Sequence, residues 1–240
     1  MDYREKIKDY NTLDDLFFLW KKEHEREPED SCRGVDGHGG TFPRKNGTPP
    51  NYEPFKDSFC PDGVTSRAGN ESSTNRCQVL FILKESNVTA TDGNYNDSFW
   101  FNEKVEDPVR NKYAQRFDWV IQRLIETQGL KQEDSKTYGY MNLNKRGGYG
   151  NNDEKYLKAY VKKYLPFIEK QISLLSPKYI VCCGNYELLR KELFKTTDKH
   201  NPSKSIYPQQ YKFAQVYNVC HPSIKDEKKF IRSLDFRRIA

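Results

Sequence analysis

At 240 residues the chain is long enough to bury one sizeable core, and one domain with extensions is expected rather than two full domains. A mean hydropathy of -0.95 is polar for a globular protein, yet an aromatic content of 14% argues against disorder. The net charge of +6, from 40 basic and 34 acidic residues, suits a polyanionic partner and equally an ordinary solvated surface.

Nowhere do about 18 apolar residues run together, so no membrane-spanning helix is expected. The start, Met1-Asp2-Tyr3-Arg4-Glu5, has neither the basic nor the apolar region of a signal peptide, which predicts a soluble, cytoplasmic protein with reduced thiols. The cysteines are Cys32, Cys60, Cys77, Cys182, Cys183 and Cys220, and none forms a C-x-x-C pair. A zinc site from Cys32, His38, Cys60 and Cys77 would need spacings that match no zinc pattern, so no metal is expected.

In chain order, Thr12 can cap a helix with Asp15 three residues later, and Leu13, Leu16, Phe17 and Trp20 then share one face. From Glu27 to about Arg76 the Gly, Pro, Asn, Asp and Ser content predicts a long irregular segment. Residues 1 to 76 therefore read as an N-terminal helix and irregular extension, and residues 77 to 240 as the main domain. There strands and helices alternate, which predicts a three-layer α/β/α sandwich around a central four-stranded parallel sheet.

The apolar run Val79 to Leu83 predicts the first buried strand. A helix is expected from Asp107 to Gly129, with Tyr113, Phe117, Val120, Ile121 and Leu124 on one face. A short strand follows at Tyr138 to Leu143, then a long helix from Asn152-Asp153 through Leu175 with a kink near Pro166. Tyr179 to Cys183 reads as the third strand, Asn185 to Phe194 as a helix, Phe213 to Val219 as the fourth strand, and Asp226 to Phe236 as a closing helix.

Ligands of open parallel α/β sheets bind beyond the carboxyl ends of the strands. Those ends carry Lys84-Glu85-Ser86-Asn87, Asn142-Leu143-Asn144-Lys145-Arg146, Gly184-Asn185 and Cys220-His221-Pro222-Ser223. Polar side chains crowd three of the four, which predicts a binding or catalytic crevice. Taken singly, His221 also reads as an ordinary structural histidine and Phe99 to Phe101 as core.

The same residues resemble the uracil-DNA glycosylase superfamily, most closely its family-4 type. The stretch from Asn142 through Lys145 and Gly150-Asn151 to Asp153 is similar to that family's TNVVKCRPPGNRDP segment. Leu165-Pro166-Phe167-Ile168-Glu169 and Leu174-Leu175-Ser176-Pro177-Lys178 through Gly184 resemble RPYLEEQI and LLKPKVIVALG, and His221-Pro222-Ser223 resembles the HPS motif before the last helix. These blocks lie in order within residues 77 to 240, and residues 1 to 76 share none of the resemblance.

Two departures stand out. Arg146 and Tyr164 occupy places where family-4 enzymes have cysteines of an iron–sulfur cluster, so no cofactor is expected. Lys84-Glu85-Ser86-Asn87-Val88 replaces GQDPY or GEAPG, with Ser86 where some families hold a water-activating Asp.

The resemblance implies a monomeric DNA glycosylase that flips out and hydrolyses off a modified or damaged pyrimidine. Members of this superfamily include anti-phage enzymes that excise modified cytosines such as glucosylated hydroxymethylcytosine. Alternatives are a uracil repair enzyme, a non-catalytic DNA- or nucleotide-binding member, and a small-molecule N-glycosidase.

Cleavage of the glycosidic bond sends negative charge onto the departing base, so a donor is needed there, and His221 is the candidate, neutral or as an acid. Asn142 suits reading of the flipped base, Phe99 or Trp100 its stacking and Asn87 a further contact, while Glu85 or Ser86 would position water. Lys145, Arg146, Ser223 and Lys225 are expected at phosphates, and Ile224 as a wedge in the gap. A Schiff base on Lys145 is the other route and needs a depressed pKa.

Overall fold

A computed structural model describes residues 3–26, 59–66, 76–87, 108–148, 154–195, 209–212 and 214–236. Its sheet consists of β1 (Gly63–Ser66), β2 (Val79–Asn87), β3 (Thr137–Gly148), β4 (Tyr179–Cys183), β5 (Gln209–Tyr211) and β6 (Ala214–Val219), in the order β1-β3-β2-β4-β6-β5. β2 and β4 are parallel, with Val79 opposite Tyr179, and so are β4 and β6, with Cys183 opposite Val219. The four expected strands occupy the centre of the sheet, so the chain is an α/β protein.

The expectation of four parallel strands alone is corrected at both edges. β1 pairs antiparallel with β3, and β5 pairs antiparallel with β6. β1 comes from the stretch read as irregular, and a tight turn with Lys212 at φ 53 returns β5 to β6. The described helices are α1 (Tyr3–Ile7), α2 (Leu13–Glu25), α3 (Pro108–Gln128), α4 (Glu154–Lys163), α5 (Leu165–Leu175), α6 (Tyr186–Leu189) and α7 (Glu227–Arg232). α6 continues into a π-helical turn, Arg190–Phe194. Among the described residues no helix is long and apolar enough to cross a membrane.

The chain divides into two compact units, one within Met1–Pro61, Lys84–Ser98 and Asn142–Leu174, the other within Asp62–Leu83, Phe99–Met141 and Leu175–Ala240. In the second unit, side chains two residues apart on each strand face one helical layer, as the pleat requires. Val79, Phe81 and Leu83 of β2, Tyr179, Val181 and Cys183 of β4, and Tyr217 and Val219 of β6 pack with Tyr113, Phe117, Val120, Ile121 and Leu124 of α3. Phe230, Leu234 and Phe236 complete that layer, and Phe81 stacks on Phe117 at 4.0 Å. The alternate set, Leu80, Ile82, Ile180, Cys182 and Val216, is buried as well, so neither face of these strands meets water. α3 stops where expected, with Gly129 in the left-handed region at φ 74.

In the first unit, α2 begins as its sequence predicts, Thr12 Oγ1 accepting the Asp15 N–H at 3.1 Å. Leu13, Leu16, Phe17 and Trp20 are buried along one face, with Trp20 fully enclosed. Around Trp20 lie Phe59, Tyr160, Tyr164 and Phe167, with ring centroids 5.1 to 6.4 Å away. The expected long helix is two, broken at Tyr164. Tyr164 N–H still reaches the Tyr160 carbonyl (2.9 Å) and Ile168 N–H the Tyr164 carbonyl (3.1 Å). Pro166 lacks the N–H that would bond the carbonyl four residues back, which ends one helix and leaves Pro166 in the first turn of the next.

Candidate active site

The expected crevice residues fall in both units. Lys84 to Asn87, Asn142, Lys145 and Arg146 lie in the first, and His221 to Lys225 in the second.

In the second unit, His221 lies one residue, Cys220, beyond β6, and the Ile224 N–H closes the turn on the His221 carbonyl at 3.0 Å. Gly184, at the end of the neighbouring β4, donates its N–H to the Val219 carbonyl at 2.9 Å. Its φ is 72°, and a Cβ there would stand 3.2 Å from His221 Cβ and 3.3 Å from the His221 nitrogen. Backbone conformation and close approach both require glycine. The adjacent Asn185, buried, donates to the Ile82 carbonyl at 3.0 Å and so ties the end of β4 to β2.

His221 is half-buried, with Nδ1 2.7 Å from Ser223 Oγ. Nδ1 also accepts the Ser223 backbone N–H at 3.2 Å. A backbone N–H only donates, so the hydrogen-bond pattern assigns Nδ1 as an acceptor and puts the proton of the neutral ring on Nε2. Such a ring can donate to an atom that gains negative charge.

Two residues that sequence reasoning did not single out as functional support this turn from α3. Tyr113 meets the His221 ring edge-on at 5.9 Å, with its hydroxyl beside the Ser223 side chain. Burial is the larger influence on that phenol and pushes its pKa up. Arg116 Nη1 donates to the Pro222 carbonyl, and the guanidinium lies 4.8 Å over the Phe230 ring. Tyr113 lay on the predicted apolar stripe and Arg116 sits three residues on, at its edge; only that helical register hinted at a shared role.

Ser223 and Lys225 are exposed, as phosphate contacts must be. Ile224, expected as a wedge, is partly buried against the core of the second unit. In the first unit Asn142 is only 6% exposed. Lys145 corrects the expectation of a phosphate contact, because it has no exposed surface at all. Its Nζ donates to the Asn142 carbonyl at 2.7 Å and lies 5.0 Å over the Trp20 ring and 5.8 Å over that of Phe17. Burial holds its pKa well below the usual lysine value, with nearby Cys60 acting in the opposite direction. The depressed pKa required for Schiff-base chemistry is thus present, on a side chain with no exposed surface.

The Lys145 backbone is held equally firmly. Cys60 N–H donates to its carbonyl at 2.6 Å, and its own N–H donates at 3.3 Å to the Tyr160 hydroxyl, which is 2.7 Å from His24 Nε2. Of the other expected site residues, Phe99, Trp100 and Phe101 and the side chains of Glu85, Ser86, Asn87 and Arg146 lie outside the described residues, as do Cys32 and His38. Cys60 and Cys77 are buried thiols, one in each unit. Among the described residues no three groups converge as metal ligands.

Tyr164 places a buried ring 5.8 Å from Trp20 and 4.7 Å from Tyr160. Compared with known proteins, the chain matches no family model and no curated sequence.

Proposed function

We propose that the chain is a DNA glycosylase with the uracil-DNA glycosylase-like fold, acting on a modified or damaged pyrimidine. The observation that carries this reading is the His221 ring, held beyond the carboxyl end of β6 with Nδ1 bonded to Ser223, which leaves the proton of the neutral ring on Nε2. In the reaction the C1′–N bond breaks and its electron pair leaves with the base. The Nε2–H stabilises the charge developing on the pyrimidine oxygen, and water adds to C1′, giving an abasic sugar and the free base. Exposed Ser223 and Lys225 beside His221 suit phosphates flanking a flipped nucleotide.

The altered segment Lys84 to Val88 favours a substrate other than uracil, with bulky modified cytosines of phage DNA as the leading class. Incubation with uracil-containing, hypoxanthine-containing and glucosylated hydroxymethylcytosine DNA tests the reading. Abasic sites are expected on the modified DNA, and no product on any of the three overturns it.

Burial of Asn142 and Lys145 favours, as a second reading, a superfamily member that binds DNA without cleaving it. That reading predicts that His221→Ala weakens binding, whereas a glycosylase retains affinity within a few-fold because phosphate contacts dominate it.

A further inference from the structure

We infer that Tyr113 and Arg116, one turn apart on α3, are positioning residues that grip His221-Pro222-Ser223 and keep the His221 ring in its Nε2–H form. The inference rests on the glycosylase reading of His221.

All three residues of the turn are held from this one helix. The Tyr113 ring stands edge-on to His221 at 5.9 Å and an interplanar angle of 83°. Its hydroxyl lies beside Ser223, whose Oγ is 2.7 Å from His221 Nδ1. The direction of this chain follows from the Ser223 backbone N–H, which already donates to Nδ1. Nδ1 has no proton to give, so the Ser223 hydroxyl donates to it, and the Ser223 oxygen is left to accept from Tyr113. The middle residue, Pro222, is held through its carbonyl by Arg116 Nη1.

Arg116 is an expensive way to fill that space. It is 1% exposed, and among the described residues its Nη2 has no hydrogen-bond partner. No carboxylate is within ion-pair distance among the described residues; the guanidinium instead rests on Phe230 of α7. A buried guanidinium with an unsatisfied nitrogen costs more than a methionine of similar length, so packing alone does not account for it. What arginine adds over an apolar side chain is a donor aimed at the Pro222 carbonyl and a positive charge beside the turn that carries His221.

The test uses the full chain labelled with nitrogen-15 at histidine, of which there are four. Imidazole nitrogen shifts report the tautomer, and single-turnover base release reports the chemistry. Tyr113→Phe keeps the ring against His221 and removes only the hydroxyl. A drop in the single-turnover rate of about tenfold, the scale of one hydrogen bond, is expected with DNA affinity unchanged. The His221 shifts should move toward a mixture of tautomers. Arg116→Met should lower the rate by at least as much, and Arg116→Lys, which retains a donor and the charge, should recover part of it. If Arg116→Met does not fold, Tyr113→Phe and Arg116→Lys decide.

Unchanged rates and shifts in Tyr113→Phe and Arg116→Met, with His221→Ala inactive, overturn the positioning role and leave the glycosylase reading standing. Unimpaired base release by His221→Ala overturns the reading of His221 itself. The nitrogen shifts decide the positioning claim even where no base is released.

Discussion

Replacement of Lys145 by methionine tests the most unusual feature of the first unit. Lys145 has no exposed surface, its Nζ donates at 2.7 Å to the Asn142 carbonyl, and burial holds its pKa well below 10.5. Between that depressed pKa and 10.5 the unfolded chain keeps a proton that the folded chain has released. Stability of the natural protein relative to Lys145→Met should therefore rise with pH by about 1.4 kcal/mol per unit across this window and level off above it. Methionine matches the length and carries no charge, but it gives up the bond to Asn142, worth about 1 kcal/mol. At the lower end of the window the variant should be the more stable protein, and toward pH 10 its advantage should shrink and reverse. Urea unfolding of both proteins at pH 7, 8, 9 and 10, with thiols reduced, measures the difference. A difference that stays constant with pH would mean that Lys145 remains charged in the fold and would refute the reasoning. DNA binding gives an independent reading: a buried Lys145 leaves the salt dependence unchanged, whereas loss of a phosphate contact lowers the slope by about one.

Gly184→Ala forces a side chain into the left-handed region and to 3.2 Å from His221 Cβ; it should cost about 1–2 kcal/mol in thermal unfolding and also slow base release. Trp20→Ala removes the fully buried ring at the centre of the first unit's aromatic cluster, and urea unfolding should record a loss of about 3–5 kcal/mol. Gly139→Ala would put a methyl group 2.6 Å from Cys77 Sγ and 3.2 Å from Leu80 Cδ1, so about 1–3 kcal/mol of overpacking is expected. Cys77→Ala in the same chain should relieve much of that cost, and additive losses in the double variant would contradict the clash.

Elements whose burial or capping is written in local pattern were legible. The apolar run Tyr179 to Cys183 is β4 residue for residue, and Thr12 caps α2 as its spacing from Asp15 implies. Elements that depend on pairing were not. β1 has four residues and β5 three, too few to show an alternation, and both form strands because a neighbour offers free backbone groups. β3 runs on to Gly148, past the end expected at Leu143, since Asn144 and Lys145 look like loop residues until tertiary contacts enclose them. The site divides in the same way. His221 and Ser223 could be found because a strand end and a short motif coincide there. The enclosure of Lys145 depends on Phe17 and Trp20, more than a hundred residues away in the chain, and no local signal carries that. Arg116 was hidden because a charged residue at the edge of an amphipathic helix ordinarily faces water.

The central claim is that His221 drives the release of a base from DNA, and mass spectrometry of bases freed from a panel of modified DNAs tests it most directly. The account predicts a free modified pyrimidine, most readily a glucosylated hydroxymethylcytosine, with the natural protein and none with His221→Ala, although both bind the DNA within a few-fold of each other. Equal release by the two proteins, or none by either while the DNA remains bound, would contradict it.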